Sequence, residues 1–72
     1  MCRYIPIEEE QYTPEVGRYR TYGICVLNEA GKTVEILSDI STDFETVSDL
    51  ADRCTKGKLA PEHLRDVVLN TI

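Results

Sequence analysis

Between Tyr19 and Ile40 the chain alternates as strands do. Tyr22, Ile24 and Val26 share one face of an extended run, while Thr21, Gly23, Cys25 and Leu27 share the other. Both faces are largely apolar, which predicts an interior strand over 19–28. Asn28-Glu29-Ala30-Gly31 then supplies a turn, with Gly31 suited to the positive φ that closes a type I turn and bulge. A second run over 32–40 sets Val34, Ile36 and Ile40 on one side, with Glu35, Leu37 and Asp39 on the other. Together the two runs predict an antiparallel hairpin.

The period then changes. Phe44, Val47, Leu50, Ala51 and Cys54 recur at helical spacing and predict a helix over about 43–56. Thr42 is placed to cap its free amides, Glu45 to reach back, and Gly57 to stop it in the left-handed region. Pro61 suits the first turn of a second helix over about 61–71, with Leu64, Val67, Val68 and Ile72 as its apolar stripe. Near the start, residues 2–8 fit a third strand with Ile5 and Ile7 on one side. Pro6 lacks a ladder donor, so that strand belongs at an edge. Residues 8–18, from Glu8-Glu9-Glu10 through Pro14 to Gly17, carry turn residues and little periodicity, and are expected to form a solvated connection.

A hairpin followed by two helices predicts a single α+β domain over 1–72, with both helical stripes on one sheet face. The other face is the informative surface. If Tyr22, Ile24, Val26, Val34, Ile36 and Ile40 meet the helices, then Cys25, Leu27 and Leu37 lie outside, where a sheet of two or three strands leaves them in water. Self-association through that face or an edge resolves this. The competing solution folds residues 1–18 over the face. Pro6 and the connection leave the position of residues 1–8 open, and strand exchange, which moves Ile5 and Ile7 into a neighbour's sheet, is one solution.

Composition narrows the function classes. The chain has 72 residues, eight Lys plus Arg and thirteen Asp plus Glu, for a net charge of -5, which disfavours nonspecific binding to a phosphate backbone. A chain this short buries only about 60% of its unfolded surface, so a partner is a reasonable source of added stability. No apolar run approaches the roughly 20 residues that span a bilayer, and Met1-Cys2-Arg3-Tyr4-Ile5-Pro6 lacks the apolar segment of a secretory signal. Three cysteines at wide spacing, Cys2, Cys25 and Cys54, suit reduced thiols rather than a disulfide framework. A cytoplasmic protein is expected.

Candidate chemistry is sparse. Asp39-Ile40-Ser41-Thr42-Asp43 begins like a calcium loop, but the position that needs Gly is Phe44 and the closing acid falls at Leu50. His63 is the only imidazole, with Cys54 nine residues upstream and Asp66 three downstream. No CxxC or HxxxH cluster accompanies them, so a packed thiol and a locally paired histidine explain them better than a metal site or a nucleophile. Catalytic residues, metal and cofactor are all expected to be absent, and the protein is not expected to be an enzyme. Arg53, Lys56, Lys58 and Arg65 gather near the interhelix turn as the one basic patch, interleaved with Asp49, Asp52, Glu62 and Asp66. Two helices with a short join invite comparison with a helix-turn-helix, although the second commits Leu64, Val67 and Val68 to burial.

Three segments carry a resemblance over roughly the last fifty residues: Tyr22-Gly23-Ile24, the Asp39–Asp43 run, and Leu59-Ala60-Pro61-Glu62-His63-Leu64-Arg65-Asp66-Val67-Val68. Together they resemble a family of short uncharacterised proteins from Gram-positive anaerobic bacteria, a domain of unknown function. The resemblance implies a compact bacterial intracellular protein and carries over no activity, cofactor or catalytic residue. The leading expectation is a small protein-interaction module that binds itself and an unidentified protein through Cys25, Leu27 and Leu37. The alternative is a nucleic-acid-binding regulator using Arg53, Lys56, Lys58 and Arg65.

Overall fold

A computed structural model describes residues 2–71. Three strands, β1 (Arg3–Thr13), β2 (Gly17–Leu27) and β3 (Thr33–Ser41), are followed by helix α1 (Phe44–Lys56), a single 3-10 turn (Pro61–His63) and helix α2 (Leu64–Thr71). The sheet is antiparallel in the order β1-β2-β3, and the helices pack against one of its faces, an α+β fold. The core joins Tyr4, Ile24 and Val26 of the sheet to Val47, Leu50, Ala51 and Cys54 of α1 and to Leu64. Val67 and Val68 of α2 pack against it half-buried, and Ile72 lies outside the described residues.

Residues 8–18 are not a connecting loop. β1 pairs with β2 along its whole length, from Arg3 opposite Leu27 to Thr13 opposite Gly17, and the chain reverses at Pro14–Val16 with Gly17 at φ 82°. Thr13 Oγ1 accepts the Val16 amide at 3.2 Å, which tightens the turn. Both faces of this outer ribbon are wet, so no hydrophobic alternation marks it. Charge marks it instead: Arg20 Nε meets Glu8 Oε1 at 2.7 Å and Arg18 meets Glu10 at 3.7 Å, across the strands. The first strand therefore extends the sheet within its own chain instead of folding over its open face.

Thr55 ties the helix layer to the edge of β1. The Tyr4 amide points away from β2 and donates to Thr55 Oγ1 at 2.9 Å, where a neighbouring strand would otherwise bond. The Thr55 proton lies within reach of the Ala51 carbonyl at 3.0 Å and the Tyr4 carbonyl at 3.3 Å. Outward-pointing amides recur every second residue, so the next falls at Pro6, which has none to offer. The Tyr4 hydroxyl donates to the Leu59 carbonyl. Burial, with the nearby Cys2 and Cys54 thiols, pushes the Tyr4 phenol up to about 12.

The helix ends differ from the sequence expectation in two places. Asp43, not Thr42, is the boundary residue of α1; its side chain caps no amide and instead accepts the Thr46 hydroxyl at 2.7 Å. At the other end Gly57 stays right-handed at φ -80°, and Lys58 takes the left-handed position at φ 55°. The Lys58 amide donates to Thr55 O at 3.2 Å and the Leu59 amide to Cys54 O at 3.0 Å, the two bonds of a Schellman end. That geometry suits glycine one residue later than the chain places it.

Lys58→Gly is therefore expected to stabilise the fold by about 0.5–1 kcal/mol, because relief of left-handed strain exceeds the added entropy of the unfolded glycine. A urea midpoint that fails to rise would refute this backbone account. Tyr4 gives a pH signature. The unfolded phenol ionises near 10 and the folded one near 12, so above pH 10 the folded state binds more protons and stability falls through that window. Thermal midpoints between pH 9 and 12 should decline less steeply in Tyr4→Phe than in the natural protein.

Candidate interaction surface

Register decides which side chains share the open face. Tyr4 is buried beneath the helices, so Arg3, Ile5, Ile7, Glu9 and Gln11 of β1 project from the opposite side. Cys25 pairs with both Ile5 and Ile36, which places all three together outside, and Leu27 follows Cys25 on that face. Ile5 is 36% exposed, Val34 48% and Ile36 51%, while Ile7, Cys25 and Leu27 are half-buried. Val34 sits at a bulge between the Val26–Glu35 and Leu27–Thr33 pairs. No described element covers this patch.

Leu37 does not belong to it. It pairs with buried Ile24 and packs against the core, together with Ile40. Strict alternation separates positions 37 and 40, but β3 carries a bulge between them. Leu37 opposes Ile24 and Ser41 opposes Tyr22, so four steps of β3 match two of β2. The slip turns Ile40 inward while Ile36 stays outside, so the predicted faces of Ile36 and Leu37 are reversed, and Val34, at the other bulge, is exposed rather than covered by the helices.

That bulge builds the polar end of the same face. Asp39 adopts φ 54°, a left-handed position that aspartate tolerates better than most residues. Its carboxylate accepts Thr21 Oγ1 at 2.8 Å and Tyr19 Oη at 3.0 Å, and its amide donates to Glu9 Oε1 at 3.4 Å. Gln11 donates to Glu9 Oε2 at 3.2 Å. Thr21 is fully buried, and its hydroxyl also lies 3.0 Å from the Ser41 carbonyl. The bond to Asp39 raises the Tyr19 phenol above its ordinary value, because losing the proton loses the bond. Gly23 makes the assembly possible: a Cβ there would collide with the Leu37 carbonyl oxygen and the Glu9 carboxylate.

The other sequence candidates lie elsewhere. Arg53 pairs with Asp49 at 3.4 Å, Lys56 with Asp52 at 3.0 Å and Arg65 with Glu35 of β3 at 3.8 Å, so three of the four basic candidates are matched by carboxylates of α1 or the helix-facing side of the sheet. Lys58 forms the helix end. Cys54 is buried, and burial pushes its thiol up, away from the nucleophilic form. His63 is exposed and approaches Glu62 at 4.0 Å rather than Asp66. Among the described residues no group of three or more His, Cys, Asp or Glu is arranged to hold a metal ion, and no helix is long and apolar enough to cross a membrane. A cleft of about 330 Å³ between β3 and α2 is lined by Leu37, Ile40, Val68 and Leu69, with Arg65 at its edge.

Ile5, Ile7, Ile36 and the Glu9–Asp39 network escaped the sequence-based site. The pairing of Glu8 and Glu10 with Arg18 and Arg20 about the Pro14–Gly17 turn was the available signal, since it extends β1 along β2.

The arrangement defines a small α+β protein with helices on one sheet face and an uncovered, half apolar and half polar, opposite face. The chain belongs to the family of unknown function DUF6514, whose profile matches residues 2–72, so the relationship includes β1 as well as the last fifty residues. No curated protein and no solved structure matches the chain.

Gly23→Ala is expected to destabilise by about 1–3 kcal/mol, the usual cost of forcing atoms into a closed site. An unchanged urea midpoint would show that the bulge does not depend on the bare backbone at Gly23.

Proposed function

We propose that this protein is an interaction module whose outer sheet face binds a second copy of the same chain. The observation that supports it is the contiguous set Ile5, Ile7, Cys25, Leu27 and Ile36 on one face, which no described element covers. Exposed apolar patches of this kind mark contact surfaces. The face is favoured over the edges for a structural reason. At β1 the edge is occupied by Thr55 beside Tyr4 and interrupted at Pro6, leaving the charged stretch 8–12; at β3 two bulges break the ladder.

Size sets the strength. The three-stranded part of the outer face, from the level of Arg3 to that of Glu9, at about 4.8 Å spacing and about 3.3 Å rise, gives a footprint on the order of 300 Å² per copy. Two copies then bury on the order of 600 Å², below standard specific interfaces and in the range of weak, transient contacts. A reversible, concentration-dependent dimer follows, rather than an obligate one.

Sedimentation equilibrium tests this. Mass is expected to rise from one chain toward two with concentration, and Ile36→Glu to weaken association by at least about tenfold while the stability of the monomer changes by less than about 1 kcal/mol. Leu37→Glu, which places a charge against the core, is expected to destabilise the fold itself. A folded Ile36→Glu variant with unchanged association would remove the outer face from the account.

A further inference from the structure

The distribution of charge on the outer face specifies how two copies meet. Along β1 its outward residues run Arg3, Ile5, Ile7, Glu9: a cation, two aliphatic side chains and a carboxylate. Arg3 is exposed and has no ion pair among the described residues. At the other end Glu9 and Asp39 receive hydrogen bonds from Gln11, Thr21, Tyr19 and a backbone amide, all uncharged donors. The nearby cations Arg18 and Arg20 do not neutralise them, because they pair with Glu10 and Glu8 on the helix side of the ribbon. Positive charge at one end and negative at the other therefore bracket the apolar middle.

Resting on the self-association reading above, we propose that the two sheets pack face to face about a two-fold axis with their β1 strands antiparallel, so that Arg3 of each copy meets the Glu9–Asp39 end of the other. Arg3 and Glu9 are six residues apart, about 20 Å along the strand. An axis at the level of the Pro6–Ile24 pair superposes each on the other's counterpart and sets Ile5 over Ile7. Gly23, whose bare backbone lies at the level of Ile7, then faces Cys25 of the second copy, whose level is that of Ile5. The parallel arrangement gathers both Arg3 side chains at one end and four carboxylates at the other, which like-charge repulsion disfavours. The self-complementary pattern identifies the occupant: a second copy carries both the aliphatic middle and the opposite charges in the required order.

Charge reversal and crosslinking test the arrangement. In sedimentation at low salt, Arg3→Glu is expected to weaken the dimer by about tenfold, and Arg3→Glu with Glu9→Arg to recover most of that loss. Because Glu9 also serves the bulge, a second measurement stands beside it. Arg3→Cys and Glu9→Cys chains, each with Cys2 and Cys25 changed to Ser, are mixed and treated with a short bis-maleimide. Crosslinks between positions 3 and 9 support the antiparallel two-fold. Crosslinks of 3 to 3 and 9 to 9 overturn it while leaving self-association intact, as does a wild-type dimer indifferent to Arg3→Glu. A wild-type chain that stays monomeric at all concentrations overturns both.

Discussion

Two helices cover one face of this sheet, and both lie on the same side. The constraint begins at β1, where the Thr55 hydroxyl occupies the outward amide of Tyr4 and holds the end of α1 against the strand. With α1 fixed there, its apolar residues fall over Tyr4, Ile24 and Val26, and the Schellman end turns the chain so that Leu64 closes the same core. Nothing in that geometry reaches the opposite face. The open apolar patch is thus a consequence of how the helix layer is anchored rather than an isolated surface feature.

The second organising element is the bulge of β3. It changes the phase of the strand, which brings both Leu37 and Ile40 to the core and sends Ile36 outward. It also lays the Leu37–Ser38 backbone over Gly23 and brings Asp39 into the reach of Thr21, Tyr19 and Glu9. One irregularity therefore divides the outer face into an apolar end and an anionic end. The internal bonds hold both carboxylates in place without a cation, which leaves their charge directed outward.

Much of the fold was legible in the sequence because it rests on local pattern. The β2–β3 hairpin and both helices follow from period 2 and period 3.6, and Pro6 correctly marked an edge strand. What was illegible has identifiable physical causes. Residues 8–13 form a ribbon wet on both sides, so their strand character lies in charge pairing rather than alternation. Leu37 was assigned to the wrong face because a bulge changes side-chain parity without any signature in the apolar pattern. Gly57 and Lys58 show the same limit at a helix end: the glycine is one residue short of the left-handed position. On the candidate surface, Cys25 and Leu27 were placed outward by pattern alone, whereas Ile5, Ile7 and Ile36 required the register.

Methyl resonances of the aliphatic side chains, followed as the protein is diluted, report directly on whether the outer face meets a second copy. The methyls of Ile5, Ile7 and Ile36 are expected to shift with concentration while those of Val47, Leu50 and Leu64, on the helix side of the sheet, stay fixed. Outer-face methyls that do not move over a range from micromolar to millimolar would contradict it.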